Sequence, residues 1–366
     1  MDNQTNPERK KEKKSKNSIL FMLEGMGLLL AIAFLFLTNK ITNLQKVKID
    51  SNQVVINQKE EEQEPKTEAE TVSQEIVIDD KTVSYRNIAL FGVDSREEQL
   101  SNGTRTDTII VASINEKTGE VKLISIYRDS YLNIGNDTYN KANAAYAYGG
   151  PEQAINMLNM NLDLDITDYL TVGFRGLIDT IDAIGGVEIT VEENEIEHLN
   201  NYQICMAEEM SQSYKPVTKA GRQTLNGMQA TAYCRIRYTA GSDFKRTERQ
   251  RDVITEIIEK SKTLPVGDLN KLLDSILPKI STSLDVNEII TILSSIANYT
   301  VTDSNGFPFD LQCGTIGKKG SCVVPETLEA NVIQLHKVLF DEDNYQPSEA
   351  VKKYSEVVYG DTSPYL

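Results

Sequence analysis

The chain has 366 residues and a formal net charge of −16 at pH 7. That acidic balance argues against a general nucleic-acid binder, whose affinity rests on net positive charge. With only His198 and His336, no tryptophan and no G-x-S-x-G motif, the sequence also disfavours a histidine-rich zinc site and a Ser-His-Asp hydrolase.

The N-terminus has the pattern of a membrane anchor. A basic tail, residues 1–17, precedes an apolar run, 18–39, and about 20 apolar residues are enough to cross a bilayer. A cleavable signal peptide is the alternative, but its apolar region is shorter and ends at a small-residue site, and no good A-x-A follows Leu37. The positive-inside rule places the N-terminus in the cytoplasm and the rest outside, as a single-pass protein of the cell membrane.

The next segment is polar and rich in glutamate, which predicts a flexible acidic linker over residues 40–82. The folded region then begins with three apolar segments of strand length, at 85–94, 107–115 and 120–129. A helical segment broken by a Gly-Gly pair follows, and Pro151 suits the first turn of its second half. Strands and helices continue to alternate, which is typical of a sheet covered by helices on both faces.

The second half of the chain is predicted to be largely helical. A long helix covers 246–262, and three more are expected near 267–280, 285–297 and 326–340. The last residues, 342–366, are polar with scattered tyrosines, and we expect a loosely ordered tail.

Four cysteines lie in the part of the chain predicted to be exported, where disulfides can form. Cys313 and Cys322 flank a Gly-rich turn, which favours a local bridge, and Cys205 with Cys234 is a weaker second pair. The alternative for Cys234 is a small buried residue beside a basic segment.

That basic segment, 233–252 (YCRIRYTAGSDFKRTERQRD), places six cationic side chains in twenty positions. Arg235 and Arg237 point the same way if the backbone is extended. In the helix that follows, Arg246 and Gln250 continue the apolar stripe, which is the helix face that carries the apolar residues. Both lie near the start of this helix, where the positive end of the helix dipole favours an anion. The alternative is a solvated face whose cations pair with neighbouring acids, but the alignment with the stripe favours a site. Because arginine binds phosphate oxygens with paired hydrogen bonds, we expect a phosphate or pyrophosphate.

A second group of polar residues lies where predicted strands begin or end. Asp94 closes the first strand, Arg105 and Asp107 stand at the start of the second, and Arg128 and Asp129 close the third. Ligands bind at such ends in open α/β sheets. Ion pairing among these residues is one interpretation. The other is that Asp94 and Asp107 hold one Mg²⁺, which proteins bind through one or two carboxylates plus substrate phosphates.

Seven blocks of sequence in order resemble the LytR-CpsA-Psr family of cell-wall glycopolymer transferases. They lie within residues 86–262 and read GVDSR, RTDT, SIYRD, ANAAYAYGGPEQAI, DAIGGVEITV, LNGMQATAYCRIRYT and DFKRTERQR. The family usually has proline before the arginine at the strand end, where this chain has Tyr127 followed by Arg128. The resemblance implies an α/β/α sandwich with a central mixed β-sheet. It also implies an apolar pocket for a polyprenyl chain that holds the pyrophosphate at its mouth.

The resemblance further implies an activity with its partners. Family members transfer a glycopolymer from its undecaprenyl-pyrophosphate carrier to peptidoglycan, through a Mg²⁺-dependent reaction that forms a phosphodiester bond. By motif, Asp94 and Asp107 resemble the magnesium ligands, and Arg105 and Arg128 join them as catalytic residues; the general base is unassigned. The residues that resemble the pyrophosphate-binding set are Arg105, Arg128, Arg235, Arg237, Asp243, Arg246 and Gln250.

Two other functions would use the same residues. A polyprenyl-pyrophosphate hydrolase would release the polymer without an acceptor, and a non-catalytic lipid-binding or regulatory protein of the transcriptional attenuator type would release nothing. An outward topology makes direct contact with DNA implausible.

The predicted division of the chain is a cytoplasmic tail (1–17), a transmembrane helix (18–39), a linker (40–82), a catalytic core (83–262), a helical C-terminal part of the extracellular domain (263–341) and a polar tail (342–366).

Overall fold

The structure is a computed structural model. It describes residues 45–46, 49, 53–57, 84–93, 100 and 103–366. The predicted cytoplasmic tail and membrane segment lie outside these residues, as does most of the predicted linker. Within the described part, no helix combines the length and the apolar character needed to cross a bilayer.

Short and long strands alternate with helices along the described chain. The strands are β1 (Gln45–Lys46), β2 (Tyr85–Val93), β3 (Thr106–Asn115), β4 (Glu120–Ile126), β5 (Tyr131–Asn133), β6 (Tyr139–Lys141), β7 (Asp168–Gly173), β8 (Val187–Val191), β9 (Gly221–Leu225), β10 (Ile280–Thr282), β11 (Thr300–Phe307), β12 (Leu311–Thr315) and β13 (Ser321–Pro325). Among the described residues, seven strands form one mixed sheet in the order β1-β10-β7-β2-β3-β4-β11, and the others form hairpins β5-β6, β8-β9 and β12-β13.

The three apolar segments predicted to be strands are confirmed as strands, and the structure places them side by side in this sheet. β3 is antiparallel to both β2 and β4, and β7 is parallel to β2. Side chains alternate between the faces: Phe91 and Ile109 pack into the core on one face, and Leu90 and Ile110 into the core on the other. Burial of both faces explains why these segments carry apolar residues at consecutive positions.

Nine α-helices are assigned within the described residues, and they cover the two faces of the sheet. Helices α1, α8 and α9 pack on one face, and α2 to α7 lie on the other. This is the predicted sandwich of helices around a mixed sheet. The helices are α1 (Asn143–Leu162), α2 (Phe174–Ala183), α3 (Ile196–Met210), α4 (Gly227–Tyr233), α5 (Ser242–Ser261), α6 (Val266–Ile276), α7 (Val286–Ser295), α8 (Leu328–Phe340) and α9 (Glu349–Thr362).

The predicted break inside α1 is confirmed. Gly149 and Gly150 leave helical geometry, and Gly150 adopts φ 67° and ψ −156°, which glycine tolerates because it has no Cβ. Pro151 then opens the second half of the helix.

The predicted polar tail and the described residues 53–57 of the predicted linker pack on the domain instead. The expected polar tail contains α9, and Tyr345 and Val351 are buried in the main core. In the expected linker, Asn57 donates hydrogen bonds to the Met160 carbonyl oxygen (2.9 Å) and to Asp163 Oδ1 (2.6 Å). In the tail, the overall polarity of the sequence misled the prediction, because a few apolar residues on one face of a helix are enough to dock it.

The predicted disulfides are wrong. All four cysteines lie within the described residues, and each is a free thiol. In the β12-β13 hairpin, Cys313 pairs with Val323, and Cys322 pairs with Gly314. Adjacent positions along a strand point to opposite faces, so the side chains of Cys313 and Cys322 face away from each other.

We expect thiol titration to find two reactive cysteines in the folded protein and four after unfolding. Cys205 and Cys313 are exposed, whereas Cys234 and Cys322 are buried. Burial raises the pKa of the Cys234 thiol to about 12, which suppresses the reactive thiolate. A reductant should leave the melting temperature unchanged, and fewer than four thiols in unfolded, unreduced protein would contradict this assignment.

Candidate functional site

A cavity of about 320 Å³ lies between the sheet and the helices α2 to α6. Its volume falls within the range of about 300–1,000 Å³ that is usual for ligand sites. Most of its wall is apolar, so it suits a hydrocarbon chain better than a polar solute. The apolar lining residues include Leu90, Val172, Phe174, Leu177, Val253, Ile254, Ile257, Ile258, Ile276 and Ile280.

The cavity also has a cationic mouth. Along α5 the lining changes from Arg246 and Gln250, near the start of the helix, to Ile254 and Ile257 further along. The other charged lining residues come from the start of β3 and from the segment between α4 and α5. The mouth residues are Asp107, Arg235, Arg237, Arg246 and Gln250.

Arg128 lies beside this mouth, surrounded by carboxylates. Its Nη1 pairs with Asp107 Oδ1, and its Nε lies 3.6 Å from Asp129 Oδ2 and 3.8 Å from Asp243 Oδ2. Burial opposes the charge on Arg128, but the attraction of Asp107 and Asp243 outweighs burial and raises its pKa. The guanidinium is therefore held as a cation in a fixed orientation.

Arg246 connects this network to the cavity. Its Nη2 donates to Asp243 Oδ2 (3.1 Å) and to the Asp107 carbonyl oxygen (3.2 Å). Its pKa is lowered, first by burial and then by the nearby charges of Arg128 and Arg237, although Asp243 opposes them. A bound anion would offset the free-energy cost of burying this charge and of its repulsion by the other arginines. The site therefore favours an anionic ligand.

Several guanidinium N–H groups at the mouth have no hydrogen-bond acceptor among the described residues. They are Arg128 Nε, Arg235 Nη1 and Arg246 Nε. Arg235 is held by two aromatic rings, with its guanidinium carbon 4.5 Å from the Phe174 ring centroid and 5.3 Å from that of Tyr202. Buried donors without acceptors are costly, and the oxygens of a pyrophosphate would satisfy them.

The structure brings most of the predicted site residues to one place, and their chemical roles stay predictions. Arg105 is exposed and is not among the described residues that line the cavity. Asp94 lies outside the described residues. The predicted residues that meet at the mouth or in the adjoining ion network are Asp107, Arg128, Arg235, Arg237, Asp243, Arg246 and Gln250.

Sequence reasoning missed the contacts that hold α5 against its neighbours. Arg249 is 1% exposed and donates through Nε to Glu195 Oε1 at 2.7 Å. Arg251, which helical periodicity turns away from the apolar stripe, is also buried, and it donates to Ser125 Oγ and Ser304 Oγ at 2.8 Å each. Because these partners are distant in sequence, no local pattern could have revealed them.

Tyr127 supports Arg128 from the preceding position. Its ring packs edge-to-face on Phe244, with 4.6 Å between ring centroids, and its main-chain N–H donates to the Phe307 carbonyl oxygen at 3.0 Å. Its hydroxyl end lies over Gly306 of β11, where a Cβ would collide with Tyr127 Oη and Cζ. Strand β11 therefore helps to position the start of α5 and the loop that carries Arg128.

We expect Gly306→Ala to displace the Tyr127 ring and with it Arg128, at a cost of about 1–3 kcal/mol in unfolding free energy. Chemical denaturation would measure the loss of stability, and calorimetry with inorganic pyrophosphate would measure the effect of displacing Arg128. Gly267→Ala is the matched control, since a Cβ there meets nothing within 4 Å. The double variant Tyr127→Ala/Gly306→Ala should recover part of the lost stability, and additive losses would argue against this contact.

A metal site at the mouth would depend on Asp107 and on oxygens supplied by a substrate. Within the described part of the chain, no group of three His, Cys, Asp or Glu side chains could hold a metal. The Asp107 side chain nevertheless lines the cavity and is 37% exposed. Mg²⁺ is commonly held by one or two carboxylates, with the remaining oxygens coming from phosphates and water.

Comparison with known proteins shows relatives over much of the chain. The model of the LytR_cpsA_psr family matches residues 44–307. The polyisoprenyl-teichoic acid–peptidoglycan teichoic acid transferase TagU of Enterococcus faecalis is 30% identical over 205 residues, which are 55% of this chain and 62% of that protein. The chain thus spans less than two thirds of the length of this relative.

Solved structures share the fold. A protein of Enterococcus faecalis described as a transcriptional regulator has a TM-score of 0.57 and 26% identity, covering 77% of this chain and 95% of its own. The LytR-CPS2A-psr family protein YwtF (TagT), solved with bound octaprenyl pyrophosphate lipid, has a TM-score of 0.52 and 22% identity, covering 70% and 90%. At that identity the second likeness is one of fold alone.

Proposed function

This chain belongs to the LytR-CpsA-Psr family, and we propose that it transfers a glycopolymer from a polyprenyl-pyrophosphate carrier to peptidoglycan, forming a phosphodiester bond. The observation that carries the proposal is the cavity, whose apolar body ends in a cationic mouth. A polyprenyl pyrophosphate has the same division, since a hydrocarbon tail is joined to a diphosphate. The teichoic acid transferase among the relatives supports the choice of a transfer reaction.

The reaction is a displacement at phosphorus. A hydroxyl oxygen of the acceptor sugar forms a bond to the phosphorus that carries the glycopolymer and loses its proton to solvent. The bridging P–O bond of the diphosphate breaks, and the lipid monophosphate leaves with the bonding electrons. Negative charge grows on that leaving phosphate. Arg128 and Arg246, held in place by Asp107 and Asp243, are oriented to stabilise it without reorganising, which is how preorganised donors lower a barrier.

Arg235 and Arg237 would bind the diphosphate before the reaction. Both line the mouth, and the rings around Arg235 keep its planar group in one orientation. We further propose that Asp107, together with Asp94, holds Mg²⁺. A bound Mg²⁺ would supply additional positive charge for the phosphate oxygens.

The apolar segment 18–39 completes the proposal as a membrane anchor, because a hydrophobic run of that length suits a bilayer span. A single-pass anchor with the catalytic domain outside the cell would keep the cavity near lipid-linked substrate and next to peptidoglycan. Protease protection of the full chain in inverted and right-side-out vesicles would test this orientation.

The transfer reaction is tested with the full chain, a synthetic lipid-pyrophosphate glycan, Mg²⁺ and peptidoglycan oligomers, with the products identified by mass spectrometry. We expect a glycan joined to the oligomer through a phosphodiester, formed only with acceptor present and lost on chelation of the metal. Free glycan phosphate at the same rate without acceptor would indicate a hydrolase. Tight lipid binding with no product under any condition would indicate a regulatory protein.

A further inference from the structure

An exposed aromatic ring lies next to the cationic mouth along the chain. Tyr238 follows Arg237, and its side chain, 72% exposed, is the most exposed of the large hydrophobic side chains among the described residues. Its ring centroid lies 6.0 Å from that of His198 on α3, at an interplanar angle of 38°. Isolated exposed tyrosines are common on proteins, so exposure alone says little about this one.

The loop that carries Tyr238 is fixed on both sides of it. The guanidinium of Arg249, itself 1% exposed, donates to the Ile236 carbonyl oxygen (3.1 Å) and to Thr239 Oγ1 (2.7 Å). The same guanidinium pairs with Glu195, immediately before α3. One buried cation therefore sets the position of the Tyr238 loop relative to the helix that carries His198.

A row of rings leads from the cavity to this surface. Phe174 and Tyr202 line the cavity and sandwich Arg235. His198 is four residues before Tyr202 on α3 and so lies on the same helix face, and Tyr238 is beside it. Aromatic side chains thus follow one face of α3 from the cavity lining to the exposed Tyr238.

We propose that Tyr238 and His198 form a saccharide-binding platform at the outer side of the mouth. The inference rests on the proposed function: with the tail in the apolar body and the diphosphate at the arginines, the sugar must lie outside the mouth. A pyranose ring is amphipathic, since C–H groups on its face contact an aromatic ring while its hydroxyls stay in water. A rigid exposed tyrosine provides such a surface with little loss of conformational freedom.

The sugar could belong to the donor glycan or to the acceptor, and three probes separate these sources. They are farnesyl pyrophosphate, the same lipid pyrophosphate carrying one N-acetylglucosamine, and a soluble N-acetylglucosamine oligomer. Calorimetry with the full chain in detergent would measure their affinities for the wild type and for Tyr238→Ala, Tyr238→Phe and His198→Ala. Tyr359→Ala is the matched control, because Tyr359 is 66% exposed on α9, on the opposite face of the sheet.

We expect Tyr238→Ala to weaken binding of a sugar-bearing probe by about tenfold, the equivalent of about 1.4 kcal/mol, with farnesyl pyrophosphate unaffected. Tyr238→Phe should keep the affinity, since it keeps the ring, and His198→Ala should weaken it less. If Tyr238→Ala loses affinity for the glycosylated lipid pyrophosphate, the donor sugar lies on the platform. If it loses affinity for the oligomer alone, the acceptor sugar lies there.

An equal loss of affinity for farnesyl pyrophosphate in Tyr238→Ala would show that Tyr238 acts through Arg237, and would overturn the proposal. So would unchanged sugar affinity in Tyr238→Ala, or an equal loss in Tyr238→Phe. If the wild type bound neither lipid pyrophosphate, the proposed transferase function would fail, and the oligomer alone would then decide whether the platform exists.

Discussion

Replacing Arg128 with alanine is expected to reduce the proposed glycopolymer transfer by about 10²–10³-fold, the usual effect of removing one preorganised donor to a developing anion. The effect should fall mainly on kcat. The Arg128 cation is fixed by Asp107, Asp129 and Asp243, yet its buried Nε has no hydrogen-bond acceptor among the described residues. That donor can therefore serve an oxygen that gains charge during the reaction.

Arg128→Lys separates charge from geometry at the same position. Lysine keeps the positive charge but loses the planar group that pairs with two oxygens at once, so it should restore only part of the activity. Lys245→Ala is the control, since that cation lies in the first turns of α5 and pairs with Glu248. Circular dichroism should show all three variants folded, and near-normal transfer in Arg128→Ala would remove this residue from the mechanism.

The parts of the fold that the sequence predicted correctly are those whose signals are local. β2, β3 and β4 carry apolar residues on both faces because both of their faces are buried. The break in α1 depends on two adjacent glycines and a proline. Helical periodicity also placed Arg246 and Gln250 on the same face as the apolar residues of α5, and both line the cavity.

The parts that the sequence did not predict depend on contacts between distant segments. Whether Cys313 meets Cys322 is decided by the register of β12 and β13, and a shift of one residue would reverse the faces. The rings that hold Arg235 come from α2 and α3, and the acid that pairs with Arg249 is 54 residues away. Residue types alone contain no signal for such pairings.

Filling the apolar end of the cavity is expected to have the second large effect. Ile257→Trp should weaken binding of long prenyl pyrophosphates on the order of 10²–10³-fold, since excluding one five-carbon isoprene unit forfeits roughly 0.8 kcal/mol per carbon. Inorganic pyrophosphate should bind as well as before, because Ile257 lies on α5 about three turns beyond Arg246. The loss of affinity in Ile257→Trp should therefore grow with the length of the prenyl chain.

The chain has no tryptophan, so this substitution also introduces a single fluorescent reporter. Ile204→Trp is the matched control, because Ile204 is 36% exposed on α3 and is not among the described residues that line the cavity. Prenyl pyrophosphates should change the emission of the residue-257 tryptophan and leave that of the control unchanged. If the wild type bound short and long prenyl pyrophosphates equally well, the tail would not occupy this cavity, and the cationic mouth would then serve a diphosphate ligand without a lipid.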